Sequence, residues 1–162
     1  MREVREGLVR LSEDIHALSY RLHPSLLDDL GLPDALQVEC ERFSREAAVP
    51  VDVRLRALSR ALPHEVSLCL FRIAQEALRN VGRHARARYV ELTLQELDGG
   101  VQLVVRDDGV GFDPALEPRR PSLGHASMRE RVHLSGGEID FESAPGQGTT
   151  ILAWVPLEKG RS

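Results

Sequence analysis

Aromatic side chains are scarce in this sequence. They make up 4% of its 162 residues, with a single tryptophan, so any core must be mainly aliphatic. An excess of positive charge is also missing. Twenty-one Lys and Arg stand against 25 Asp and Glu, a formal net charge of −4, and that gives no electrostatic footprint for nucleic acid. No apolar run approaches the ~18 residues of a membrane-spanning helix. The charged start MREVREGLVRLSEDI lacks the apolar region of a signal peptide. The two cysteines, Cys40 and Cys69, belong to no CxxC or Cys/His cluster, and read as buried free thiols in a reducing compartment. No GxxxxGK[ST] occurs, which closes the P-loop route to a nucleotide. What is left fits a cytoplasmic globular domain, about one domain's length with a short extra element, able to bury a proper core.

The pattern that is present begins with a seam. Val4, Leu8, Leu11, Ile15, Leu18 and Leu22 are spaced 4-3-4-3-4, the mark of a helix in a coiled coil or bundle, and Pro24 ends or kinks it. A lone helix of this kind calls for a partner, a second copy or a helix outside this sequence, the plainer alternative being that it folds back on its own domain. After Gly31, Pro33 suits the first turn of a helix through ALQVECERFSREA. VDVRLRAL alternates as a strand, and Pro63 opens a second helix with Val66, Leu70, Ile73, Ala77 and Val81 on its buried side. RYVELTLQEL and VQLVVRD read as strands joined by the turn Asp98-Gly99-Gly100. DDGVGFDPALEPRRPSLGHA lacks periodicity and predicts a loop. SMRERVHLSGG predicts a helix starting near Met128 and closed by Gly136-Gly137. GEIDFESA and TTILAWVPL predict two more strands around PGQG. The order predicts an α/β (α+β) two-layer sandwich, with helices on one face of a mixed, mostly antiparallel sheet.

Four short stretches carry chemistry. Glu76, Asn80 and His84 recur at i, i+4 and i+8 on one helix face, flanked by Arg72 and Arg83. An ion-pair face, Arg72 with Glu76, accounts for the charges but for neither the amide nor the histidine. Carboxamide and carboxylate oxygens suit Mg²⁺, and Arg and His suit phosphates. On its own the line is open to both readings. Asp107-Asp108-Gly109-Val110-Gly111 ends a strand with an acid that can accept a hydrogen bond from an exocyclic amine, beside glycines that let backbone approach a planar ligand; it also fits a plain turn. Leu123-Gly124-His125-Ala126-Ser127 leads into a helix whose N-terminus favours phosphate, or Ser127 is simply its N-cap. Gly146-Gln147-Gly148-Thr149 is a glycine turn between strands.

In this order the stretches resemble the ATP-binding domain of sensor histidine kinases, within the wider superfamily that includes DNA gyrase, the heat-shock chaperone ATPase and mismatch-repair ATPases. QEALRNVGRHA resembles the N box, DDGVGFD the G1 box, SLGHASMRERV the G2 box and GQGTT the final Gly-Thr element, over residues 63 to 157. LSYRLHPSLLDDLGLPDAL is similar to the end of the dimerisation and phosphotransfer region of nitrate-sensor-type kinases. The resemblance implies the Bergerat ATP-binding fold over 31–162, preceded at 1–30 by the second helix of a dimerisation region. It implies ATP and Mg²⁺ as cofactors. Asn80 would hold Mg²⁺, and Glu76 would orient a metal-bound water or polarise the phosphate end, the two forming the catalytic pair. Arg83 and His84 would contact phosphates, Asp107 would accept the adenine amine, and Gly109 and Gly111 would shape the adenine wall. Gly124 would belong to a mobile lid, His125 would reach phosphate from it, and Thr149 would support the adenine from below.

The sequence departs from that pattern in two ways. The G2 box carries Ser122 and Ser127 where the family often has further glycines. The acceptor context Glu-Leu-His-Asp does not occur: His16, in SEDIHAL, is followed by alanine and belongs to the second bundle helix. His23 and His133 read as surface or packing residues, His64 as solvated and Trp154 as a sheet residue. The implied activity is phosphoryl transfer from ATP to a histidine missing from this stretch, then to a response regulator, in a homodimer joined through the bundle. No nucleic acid or membrane contact is expected of this region, although the parent protein could be anchored in one. The alternatives on the same fold are an anti-sigma-type serine kinase, which the LHPSLLDDLGL stretch and the seam disfavour, and a non-catalytic dimerisation module with a decayed pocket.

Overall fold

Strict alternation along the strand runs sets the architecture. In the structure, a computed structural model, β1 (Val51–Leu55), β2 (Val90–Leu97), β3 (Gly100–Asp107), β4 (Glu138–Ser143) and β5 (Thr149–Pro156) form one sheet in the order β1-β2-β3-β5-β4. β1 runs parallel to β2 and every other pairing is antiparallel. Val90, Leu92 and Leu94 of β2, Val101, Leu103 and Val105 of β3, and Ile151, Ala153 and Val155 of β5 are all buried. Their alternates, among them Thr93, Gln102, Arg106 and Trp154, line the opposite, open face. The helices α1 (Ser25–Leu30), α2 (Leu32–Ala47), α3 (His64–Asn80) and α4 (Leu123–Leu134) cover the apolar face. This is the expected sandwich. The structure describes residues 4, 7, 25–119 and 122–158. The seam from Leu8 to Leu22, with His16 and His23, lies outside the described residues. Among the described residues, no helix is long and apolar enough to cross a membrane.

Local chemistry explains most boundaries. Asp98 and Gly99, with φ of 51° and 72°, make a two-residue turn closed by the Leu97–Gly100 pair, so β3 begins at Gly100. Pro33 sits in the first turn of α2, as expected. Trp154 is a sheet residue whose Nε1 donates to Leu97 O at 2.8 Å. Both cysteines are buried and free. Leu27 of α1 is buried in the same core as α2 and α3, and His64 at the start of α3 lies 3.0 Å from Asp28 rather than standing in solvent alone.

Two regions differ from the sequence expectation, the chain around the start of α4 and the end of α3. The helix placed from Met128 starts at Leu123, because Ser122 caps it by accepting the His125 N–H at 3.2 Å; Ser127 is therefore interior and not the cap. The preceding stretch, expected as loop, contains a 3₁₀ segment at Pro114–Arg119. The second departure is a single π turn, Val81–Ala85, after α3. Its i→i+5 bonding widens the helix and takes His84 off the straight line through Glu76 and Asn80.

Between α2 and α3 lies a buried acid. Glu39 is 6% exposed, with Arg42 Nη2 at 2.6 Å from its carboxylate. Arg72 Nη1 donates to Gln75 Oε1 at 3.1 Å, and Arg79 Nη1 lies 3.9 Å from the Glu76 carboxylate. Burial pushes the Glu39 carboxyl from 4.5 up to about 7, against a hydrogen bond from Gln75 and the charge of Arg72, while Glu46 adds to the rise. The folded chain keeps this proton where the unfolded chain has lost it, so stability present below pH 4.5 declines as pH rises towards 7. Glu39→Gln should flatten that decline and raise stability at alkaline pH by at most about 3 kcal/mol, measured by urea unfolding on both sides of the window. An unchanged pH slope would exclude Glu39 as its source.

Candidate nucleotide-binding site

The site starts from where β3 ends. Asp107, its last residue, is 7% exposed, and its Oδ1 accepts the Gly109 N–H at 2.8 Å. Burial raises its pKa; backbone N–H groups of Gly109 and Thr149 pull it back, and the neighbouring Asp108 adds to the rise. Beyond it the chain passes through contacts that leave no room for side chains. A Cβ on Gly109 would strike the carbonyl of Ala85, and one on Gly111 the carbonyl of Ala144. Val110 N–H donates to Ala85 O at 2.7 Å, and Val110 O accepts the Gly146 N–H at 2.6 Å. The end of the π turn, the glycine loop and the β4–β5 turn are thereby tied together by main-chain bonds.

Thr149 pairs with Asp107 across β5 and β3. Its Oγ1 lies 2.9 Å from Ser143 Oγ. Asp107, Gly109, Gly111 and Thr149 are therefore one unit. The polar end of α3 forms the second part. Glu76 is partly buried, and Gly124, in the first turn of α4, lies so close that a Cβ there would strike the Glu76 carboxylate. At the end of α3 the Asn80 amide nitrogen is buried without a hydrogen-bond partner. A carboxamide presents an acceptor oxygen and a donor nitrogen of nearly equal size, so a half-turn of the side chain exchanges them. Arg83 and His84 are exposed on the π turn.

His125 is placed differently from a residue reaching outward to phosphate. It is buried, with its ring centroid 4.5 Å from Phe141 and 5.5 Å from Phe112. Arg129 stands over Phe141, 4.6 Å from the ring centroid. Phe112 follows Gly111 directly, so these rings link the glycine loop to α4.

Three contributors escaped the sequence reading. Asp108 Oδ1 accepts the N–H groups of Arg88 and Tyr89 at 2.8 and 2.9 Å, which anchors the start of β2 and holds its carboxyl below the usual range. Phe112 supplies the ring against His125. Ser143 bonds to three partners at the floor of the glycine loop. Adjacency to Gly111 was the one available signal for Phe112; for Ser143, a small polar residue at a strand end, there was none.

Residues 65–159 match the family of histidine kinase-, DNA gyrase B- and HSP90-like ATPases. The chain belongs to this family. It is 31% identical over 157 residues, 97% of its length, to the signal transduction histidine-protein kinase/phosphatase DegS of Brevibacillus brevis, and spans 40% of that protein. It is 33% identical over 153 residues to the oxygen sensor histidine kinase NreB of Staphylococcus carnosus, covering 94% of this chain and 44% of the relative. It thus spans less than half the length of these relatives. The histidine kinase domain of the Erythrobacter litoralis EL346 blue-light activated kinase superposes with a TM-score of 0.67 at 24% identity, over 78% of this chain and 61% of that one, and shares the fold. The end of the π turn, the glycine loop after Asp107 and the turn before Thr149 meet around Asp107 and Ala85, and the first turn of α4 rests on Glu76.

Proposed function

We propose that this chain is the catalytic, ATP-binding part of a two-component sensor histidine kinase, with residues 31–162 as the ATP-binding domain and 1–30 as the second helix of a dimerisation region. The observation that carries this reading is the buried Asp107 carboxylate at the end of β3, walled by glycines too close-packed to accept side chains. A buried acceptor beside close-packed backbone suits the exocyclic amine of a flat base. Thr149, paired with Asp107, would support the base from the neighbouring strand.

The Asn80 amide oxygen would suit a cation that keeps its waters, and its buried, unpartnered N–H would suit a phosphate oxygen. Bound Mg²⁺ would neutralise charge on the phosphates. Glu76, at the start of the same line, would hold a water or polarise the phosphate end, and Arg83 and His84 on the π turn would meet phosphate oxygens. In the whole kinase the γ-phosphoryl would pass to a histidine of the dimerisation region and then to an aspartate of a response regulator. The relatives' names as sensor histidine kinases support that class of partner.

Calorimetric titration with Mg·ATP tests the site. A Kd between about 1 μM and 1 mM is expected. Asn80→Ala removes a buried amide nitrogen that has no hydrogen-bond partner, so folding stability should hardly change. Affinity for Mg·ATP should fall roughly tenfold while Mg²⁺-free ADP binding is retained. Equal Mg·ATP affinity in the two proteins would remove Asn80 from the metal site.

A further inference from the structure

Ser143, at the end of β4, faces the glycine loop from a strand that contributes none of the ATP-site residues named above. Its hydroxyl accepts the Phe112 N–H at 2.9 Å, bonds to Gly148 O at 2.9 Å and lies 2.9 Å from Thr149 Oγ1. A hydroxyl has one donor and two acceptor sites. Donation to Gly148 O and acceptance from Phe112 N–H and Thr149 O–H use all three. The partners are the segment just after Gly111, the glycine packed on the carbonyl of Asp107, and the residue paired with Asp107. Ser143 is therefore the junction of the two turns that flank the buried acid.

We propose that Ser143 is a positioning residue for adenine recognition: its hydroxyl fixes the Phe112 end of the glycine loop against the Gly148–Thr149 turn, and so holds the backbone beside Asp107 in place. The proposal rests on the ATP reading above. Without the hydroxyl, the Gly148 carbonyl and the Phe112 N–H each lose a partner, and Thr149 Oγ1 is free to rotate. The far end of the loop, at Phe112, can then drift from Gly148 and Thr149 while Val110 stays bonded to Gly146 and Ala85, and the sheet is undisturbed, since β5 stays paired on both sides through its main chain. Phe112 also carries the ring against His125, so the same drift would reach the start of α4.

The test compares the 162-residue chain with Ser143→Ala and Ser143→Thr. Calorimetric titration with ADP should give roughly tenfold weaker binding for the alanine variant and affinity within about twofold of wild type for the threonine variant, which keeps the hydroxyl on a strand-favouring side chain. The amide signal of Phe112 supplies a readout that loose packing alone would not move: its hydrogen-exchange protection should be lost in Ser143→Ala and kept in Ser143→Thr. Should the alanine variant not fold, Ser143→Cys replaces it, a thiol being a weak hydrogen-bonding group, with the same loss expected. Wild-type binding that survives loss of the hydroxyl, or Phe112 protection that persists in its absence, overturns the proposal and leaves the ATP reading standing. A wild-type chain that binds no adenine nucleotide overturns both.

Discussion

Asp107→Asn should leave a folded protein that binds ATP about a hundredfold more weakly. Asparagine is nearly isosteric with aspartate. Its carbonyl oxygen can still accept the Gly109 N–H that Asp107 Oδ1 accepts at 2.8 Å, so the turn is preserved. The remaining end of the side chain changes from an acceptor to a donor and would face the donor amine of adenine. Two donors buried against each other leave both unsatisfied, in a place only 7% exposed, where water cannot enter freely to repair them. The substitution also removes a buried carboxylate that desolvation already disfavours, which argues against a large loss of stability. Titration with ATP and with ITP, which lacks the amine, separates the causes. Wild type should prefer ATP, and the preference should vanish in the variant. Equal affinity of wild type for ATP and ITP would remove Asp107 from base recognition.

Gly148→Ala should cost about 3 kcal/mol or more of folding stability and abolish nucleotide binding with it. Gly148 has φ of 72°, where an L side chain costs about 1–2 kcal/mol. Its added methyl would also meet the carbonyl of Asp107, which is main chain held in the β3–β5 ladder and cannot swing aside. Relief would require breaking the Asp107–Thr149 pair itself. Gly146→Ala is the internal control: φ is 78° at that position too, but nothing lies within 4 Å of the new methyl. It should lose only the left-handed penalty of about 1–2 kcal/mol. Urea unfolding of the two variants measures the difference, and equal losses would show that the Asp107 contact contributes nothing.

Much of this layout could be read from the residues. The strands declared themselves by alternation, α2 by Pro33 after Gly31, and the β2–β3 turn by its glycines. The features that escaped depend on distant partners. The first turn of α4 contains Gly124, His125 and Ala126, with no apolar period, and its cap Ser122 stands well ahead of the apolar residues Met128 and Val132. The π turn at Val81–Ala85 ends in a carbonyl that accepts the Val110 N–H, a partner 25 positions along, which no local propensity encodes. The charge line of α3 was legible as a face. Its pairings were not: Arg72 serves Gln75 and bears on Glu39 from α2, a residue far off in sequence. At the candidate site, Asp107 and its glycines were legible as a turn at a strand end, whereas the packing of His125 between two phenylalanines depends on β4 and the glycine loop together.

The single tryptophan has a practical consequence. Trp154 pairs with Gln102, five residues back along β3 from Asp107, or about 17 Å at ~3.4 Å per residue. Its indole is pinned to Leu97 O at the opposite end of the strands from the glycine loop. Intrinsic fluorescence of this chain should therefore report loss of the sheet while staying nearly silent when a nucleotide binds beside Asp107. One optical channel then follows unfolding in urea with or without ligand, and the rise in its midpoint on adding ADP is a direct measure of linkage, uncontaminated by quenching from the bound base.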